Sequence, residues 1–193
     1  MKIICLLGYS ASGKTTCAEE LRKLGYNIID SYTTRPKRTP NETGHKFVTL
    51  QDMRLDHLSV EQQTEEIKKL AMAYTYVNDA HYFTLPQQFA TDVPNVYVID
   101  EAGIDILRDT MPLADIEVWV FDTPMEVCIQ RMTQRGDKPE SIARRLEWDY
   151  SRSFINYADY SITDSSIATQ AIHKPYKRLY YRLTGKLKIY KTN

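Results

Sequence analysis

An apolar run, Lys2-Ile3-Ile4-Cys5-Leu6-Leu7, passes directly into Gly8-Tyr9-Ser10-Ala11-Ser12-Gly13-Lys14-Thr15. The octapeptide fits G-x-x-x-x-G-K-[ST] without mismatch. The pattern constrains the chain on both sides, because a strand must end where the loop begins and a helix must start where it closes. Lys2–Leu7 suits the strand, Lys14–Leu24 suits the helix, and Gly25 is a natural stop. Gly8 and Gly13 let the backbone turn so that successive N–H groups face inward, and the helix N-terminus adds positive potential. Lys14 then reaches the β- and γ-phosphates, and the Thr15 hydroxyl can ligate Mg²⁺. The expected contacts for a nucleoside triphosphate are Gly8, Ser10, Ala11, Ser12, Gly13, Lys14, Thr15 and Thr16. A chance glycine-rich turn would lack the flanking strand and helix.

The 193 residues suit one domain with small insertions, and 42% hydrophobic residues supply an ordinary core. The N-terminus runs straight into the first strand, leaving no room for a signal peptide, and no apolar run approaches membrane-spanning length. A soluble cytoplasmic protein is expected. Cys5, Cys17 and Cys128 form no C-x-x-C pair and sit in apolar periodic segments, so they read as small buried hydrophobes. The four histidines lack metal-ligand spacing.

Strand-type runs (Lys2–Leu7, Tyr26–Ile29, Val96–Ile99, Glu117–Phe121, Tyr160–Ile162) alternate with helical ones (Lys14–Leu24, Ile104–Asp109, Met125–Gln134, Glu140–Tyr157). This rhythm predicts a three-layer α/β/α fold around a parallel sheet. Asp122-Thr123-Pro124 offers a cap and a first-turn proline for the helix at Met125. Two stretches interrupt the rhythm. Ser31–Asp92 contains a capping-box pattern, Ser59 to Gln62, that opens a helix to about Ala71, and Arg131–Arg145 is dense in arginine. Both follow elements that end near the loop, at the edge where doubly wound sheets collect ligands.

Within the first interruption, Ser31-Tyr32-Thr33-Thr34-Arg35-Pro36-Lys37-Arg38 places cations and hydroxyls together, and Arg35 and Arg38 could fork onto a phosphate. The run Ser-x-Thr-Thr-Arg-x-x-Arg, followed by Gly44-His45-Lys46-Phe47-Val48, resembles the nucleotide-acceptor segment of guanylate kinases. The resemblance continues in order through His81-Tyr82-Phe83-Thr84, Val98-Ile99-Asp100 with Gly103, Arg131-x-x-x-Arg135-Gly136, Pro139–Leu146 and Asp159–Asp164, over roughly residues 2–165. It implies a nucleotide-monophosphate-binding insertion at 31–92, a lid at 129–157, and a core at 1–30, 93–128 and 158–175. It also implies ATP as donor, Mg²⁺ as cofactor, and GMP or dGMP as acceptor. Ser31, Arg35, Arg38, His45, Tyr82, Thr84 and Asp100 would hold the acceptor, Asp100 also facing the metal through water. Lys14, Arg35, Arg131, Arg135 and Arg145 would act on the transferring group.

Physical chemistry points the same way. A phosphate acceptor is already an anion and needs no strong base, so the chemistry rests on alignment and charge neutralisation. Arg131 and Arg135 share a helix face, where like charges are unfavourable unless an anion joins them. The chain departs from the family at three places: His45 replaces a tyrosine, Phe83 replaces a glycine, and Ala71–Tyr76 lacks the carboxylate that reads guanine. Thr75, Tyr76 or Asp79 remain as substitutes for it. Alternative readings are a kinase of the same fold with another nucleotide acceptor, and a non-catalytic guanylate-kinase-like binding module. The intact Gly13-Lys14-Thr15 and the arginine-bearing lid speak against the module.

The formal net charge is zero, yet seven of the twenty-five basic residues follow Asp164, the last acidic one. Four tyrosines interleave with cations in the tail at 176–193. A terminal helix docking its Tyr and Leu stripe is the default reading. A subunit contact with the acidic body, as in a homodimer, and a nucleic-acid contact are the others.

Overall fold

The computed structural model describes residues 1–38, 40–150, 154–162 and 189–191. In chain order its elements are β1 (Lys2–Gly8), α1 (Lys14–Lys23), β2 (Asn27–Ile29), β3 (Ser31–Thr33), β4 (His45–Phe47), α2 (Val60–Lys68), β5 (Ala73–Val77), β6 (Ala80–Thr84), β7 (Asn95–Val98), α3 (Glu101–Thr110), β8 (Asp115–Phe121), α4 (Met125–Gln134), α5 (Pro139–Tyr150), β9 (Tyr160–Ile162) and β10 (Ile189–Lys191).

Ile3 through Leu7 are all buried, as a strand covered on both faces of a parallel sheet must be. β1 sits inside a six-stranded sheet of order β10-β9-β8-β1-β7-β2. The pleat sends Ile3, Cys5 and Leu7 to one face, against Ile104 and Leu107 of α3. Ile4 and Leu6 go to the other, against Cys17 and Leu21 of α1, with Trp119 and Phe121 of β8 alongside. The three-layer α/β/α arrangement follows. Trp119 is core, and all three cysteines are buried. Burial pushes the Cys5 thiol up to about 12, consistent with a packing role.

Every described pairing of the large sheet is parallel except β10 on β9, which is antiparallel. Residues 189–191 of the basic tail are thus an edge strand, not part of a helix; residues 176–188 lie outside the described residues.

Sequence reasoning missed a second sheet of order β4-β3-β6-β5, built from residues 31–84. Its strands are three to five residues long, too short to show alternation above the polar background. β5 and β6 form a hairpin whose turn residues, Asn78 and Asp79, have φ of +50° and +57°, the signature of a tight two-residue hairpin turn. Phe83 is buried and stacks on Tyr32 at 5.3 Å. α2 covers this sheet, capped reciprocally by Ser59 and Gln62 as expected, and ends at Lys68 rather than Ala71.

Two further boundaries and one cap differ from expectation. α3 starts at Glu101 because the Asp100 side chain caps it. α5 ends at Tyr150 in the described residues, with a short 3₁₀ turn at Ile155–Tyr157. Pro124 is the N-cap of α4 and no side chain caps it; Thr123 instead donates to the Ser12 carbonyl at 2.9 Å.

Asn95, fully buried, ties the sheet to the loop before β7. Its Oδ1 accepts from Asn27 Nδ2 at 2.7 Å and from the Ala90 N–H at 2.8 Å, while its Nδ2 donates to Lys2 O and Ala90 O. Removing it strands several buried polar groups, each costing about 1–3 kcal/mol. Asn95→Ala is therefore expected to lower unfolding free energy by about 2–4 kcal/mol in urea titration. The almost fully exposed Leu113 supplies the control: Leu113→Ala should stay within about 0.5 kcal/mol of the parent.

Candidate functional site

β1 ends on Gly8, and the reason for glycine is steric. Its φ is +144°, and a Cβ there would stand 2.8 Å from the Phe121 carbonyl oxygen. Beyond it, the Ser12 N–H donates to Tyr9 O at 3.2 Å and closes a turn. Ala11 is the third residue of that turn, at φ +62°, a left-handed conformation that costs a side chain about 1–2 kcal/mol. Lys14 Nζ donates to Gly8 O at 2.7 Å, Tyr9 O at 2.6 Å and Ser12 Oγ at 3.3 Å. Residues Ala11 to Thr16 line a cavity of about 430 Å³, with Arg131 and Arg135 on its far wall.

Two further cavities adjoin it. One of about 400 Å³ runs from Gly8, Ser10 and Lys14 past Ser31, Arg38, His45 and Tyr82 to Asp100. The other, of about 770 Å³, lies between Thr15, Glu42 and Asp137 and shares Arg38, His45 and Arg145 with the first. Elements far apart in sequence thus bring together most of the expected residues. β3 and β4 present Ser31 and His45, whose Oγ and Nδ1 are 2.9 Å apart. Asp100, at the end of β7, accepts on Oδ1 from the Gly103 N–H at 2.8 Å and from Thr75 Oγ1 at 2.9 Å. A Cβ on Gly103 would stand 2.7 Å from the Ile99 side chain and 3.1 Å from that same Oδ1, so glycine keeps the cap tight.

Two expected residues are placed elsewhere. Thr84 is fully buried and lines none of the three cavities; it shares a face of β6 with the cavity-lining Tyr82 but pairs with Ala73 at the far end of the strand. Arg35 also lines none of them. Its guanidinium forks onto Glu42 at 2.6 and 3.0 Å, and its Nε donates to the Tyr82 hydroxyl at 3.1 Å. Tyr82 does face the cavity, so Arg35 stands behind a lining residue. Of the candidates for the missing carboxylate, Thr75 reaches the cavity and Tyr76 and Asp79 do not.

Glu42, Asp137 and Asp149 were not anticipated. Glu42 also accepts from the Arg38 N–H at 2.6 Å, and Asp137 accepts from Arg135 Nε at 2.9 Å and lies 3.7 Å from Arg145. Asp149 is buried on α5 and accepts from the Ser10 N–H at 3.0 Å. Each follows an arginine of interest by two to seven residues, a sequence signal that the cation-centred reading passed over.

The electrostatics express this crowding. Burial lowers the pKa of Arg38, and Arg145 and Arg35 lower it further; burial likewise lowers that of Arg145. Burial also opposes the Arg35 charge, but the Glu42 fork and Tyr82 outweigh it and the net shift is upward. Burial opposes the Glu42 carboxylate too, yet Arg35 and Arg38 hold it down at about 2. Burial, then the Arg35 charge, pushes His45 down to about 4, so its ring is neutral at pH 7. The cleft is a positive field that an anion would relieve.

Among the described residues no three His, Cys, Asp or Glu gather to hold a metal ion, and no helix is long and apolar enough to cross a membrane. The exposed Thr15 at the start of α1 fits a Mg²⁺ whose other ligands come from phosphates and water.

The solved structure of guanylate kinase from Anaplasma phagocytophilum superimposes with a TM-score of 0.56 and 14% identity, over 93% of this chain and 85% of that one. The two share a fold. A gluconokinase from Sinorhizobium meliloti 1021 aligns at TM-score 0.46 and 18% identity, over 94% and 95% of the two chains. No curated protein matches the sequence. A family model described as an AAA domain matches residues 3–154, most of the chain and all of the cleft. With an intact phosphate loop at the head of that match, the chain belongs to the AAA domain family.

Proposed function

We propose that the protein transfers the γ-phosphoryl group of ATP to a nucleoside monophosphate, with GMP or dGMP as the first acceptors to test. The observation that carries this reading is the shared border of the cavities. Lys14, Thr15 and Arg135 each line both the loop cavity and a cavity that Arg38 and Arg145 line. A donor triphosphate in the one and an acceptor phosphate in the other would meet there. The guanylate kinase fold and the acceptor-segment motifs support the acceptor class.

In this reading Arg38, Ser31, His45 and Tyr82 bind the acceptor phosphate, Arg35 orients Tyr82, and Asp100 with Thr75 faces the base. The acceptor arrives as an anion, so no residue has to remove a proton from carbon or hydroxyl. The work is to hold two anions together in line and to neutralise charge on the transferring oxygens, for which Lys14, Arg135 and Arg145 are placed. Mg²⁺ held by Thr15 would supply further neutralisation of the phosphate oxygens. Segment 129–157, acting as a lid, would exclude water as a competing acceptor. The insertion at 31–92 would carry the acceptor.

A coupled assay with MgATP and a panel of GMP, dGMP, AMP, dTMP and CMP tests the reaction. Turnover of GMP and dGMP is expected. Absence of turnover with every monophosphate, alongside demonstrated ATP binding, would overturn it, and equal turnover of AMP and GMP would overturn the guanine assignment. Lys14→Ala should lower kcat by about 10²-fold or more with an unchanged circular dichroism spectrum.

The same site sets a pH dependence of stability. An unfolded His titrates near 6.5 and a Glu near 4.3; both His45 and Glu42 lie lower in the fold. Their contributions are complete above those unfolded values. His45's is lost as pH falls from about 6.5 towards 4, and Glu42's from about 4.3 towards 2. The melting temperature should therefore decline on acidification. His45→Gln should flatten the upper part of that decline, leaving the share of His81, whose pKa burial also lowers. A melting profile of His45→Gln parallel to the parent's would contradict this assignment.

A further inference from the structure

The turn Tyr9–Ser12 at the tip of the phosphate loop is gripped at every residue by one segment of the chain. The Tyr9 ring packs edge-on against Phe154, with centroids 5.0 Å apart. The Ser10 N–H donates to Asp149 Oδ2 at 3.0 Å. Ala11 O accepts from Arg131 Nη1 at 3.2 Å, and Ser12 O accepts from Thr123 Oγ1 at 2.9 Å. All four partners fall between residues 123 and 154, on and around α4 and α5. Ala11, at the centre, holds a left-handed φ of +62° that glycine would adopt without cost. A strained turn persists where its surroundings over-determine it, and here the surroundings are the two helices that bear Arg131, Arg135 and Arg145.

Asp149 is the most unusual of the four partners. The residue is 2% exposed, and a charged group is seldom buried for packing alone. It sits one helical turn after Arg145, so both project from the same face of α5 and line the same cavity as Lys14. Arg131, for its part, spends a guanidinium N–H on the loop backbone.

We propose that Asp149 is a positioning residue for the phosphate loop: with Arg131 it clamps the Tyr9–Ser12 turn, so that any displacement of α4 and α5 is transmitted to the loop that holds the triphosphate. The proposal rests on the reading of that loop as the ATP site. In this role Asp149 acts through the loop backbone, by its bond to the Ser10 N–H. It fixes the peptide group at Ser10, and so the path of the backbone that leads to Lys14.

The test is MgATP affinity by titration calorimetry without acceptor, paired with thermal melting. Asp149→Ala should weaken MgATP about tenfold, the equivalent of one charge-assisted hydrogen bond. Asp149→Asn keeps an oxygen acceptor in place and should remain within about threefold of the parent. Ala11→Gly should suppress the defect of Asp149→Ala, because glycine holds the turn without the clamp. A folded Asp149→Ala with parental MgATP affinity would overturn the proposal, even with a lowered melting temperature. So would Asp149→Asn as weak as Asp149→Ala, or a double variant no better than Asp149→Ala. Should Asp149→Ala not fold, Arg131→Ala with and without Ala11→Gly makes the same comparison from the other side of the turn. A parent protein that binds MgATP but phosphorylates no monophosphate would sink the proposed reaction while leaving this comparison intact.

Discussion

The contact between Gly8 and the Phe121 carbonyl sets the geometry on which the cleft depends. β1 is buried on both faces, and its last residue lies so close to β8 that no side chain fits between them. That closeness brings the phosphate loop out of the sheet at the carboxyl ends of β1, β7 and β8, where Asp100 and Thr123 also emerge. A strand buried on both faces thereby aims the loop that borders the cleft. The helices that border the cleft then hold the loop by its backbone, through Asp149 and Arg131, rather than by apolar packing alone.

Charge is the second constraint. Arg35, Arg38 and Arg145 approach closely enough to perturb one another, and burial alone would penalise that arrangement. Glu42 and Asp137 share the load by forking onto Arg35 and Arg135. These carboxylates satisfy some guanidinium donors and leave Arg38 and Arg145 on the cavity walls. Both carboxylates themselves line the larger cavity, so its wall carries paired charges, with Arg38 and Arg145 held beside them in position to meet an anion.

How much of this was legible in the sequence depended on the length scale of the signal. β1, α1 and the loop between them could be read from one octapeptide, because only one local geometry accommodates it. The α/β/α layering followed from apolar runs long enough to show a period, and Met125–Gln134 emerged with its bounds intact. The small sheet did not, because strands of three to five residues carry no usable period and their pairing is set by tertiary contact. The motif residues Ser31, Arg38, His45, Tyr82, Asp100 and Arg145 do converge on one cleft. Thr84 and Arg35 line none of the cavities, since a motif fixes sequence spacing but not how far along a strand the cleft reaches or which partner a side chain takes. Glu42 and Asp149 were missed because their importance lies in what they hold, Arg35 and the Ser10 amide, and those pairings exist only once the chain has folded.

The central proposal is that the loop cavity and the acceptor space beside it, which it borders at Lys14 in the smaller adjoining cavity and at Thr15 and Arg135 in the larger, form one continuous site. The most direct measurement is the affinity of a bisubstrate dinucleotide, adenosine and guanosine joined through five phosphates, compared with ATP and GMP separately. A ligand that fills both cavities gains the second interaction without a second association cost. The account predicts binding at least about 10²-fold tighter than either nucleotide, with most of that advantage lost in Lys14→Ala. A dinucleotide that binds no better than ATP would show that the cavities do not form one continuous site, and would contradict the account.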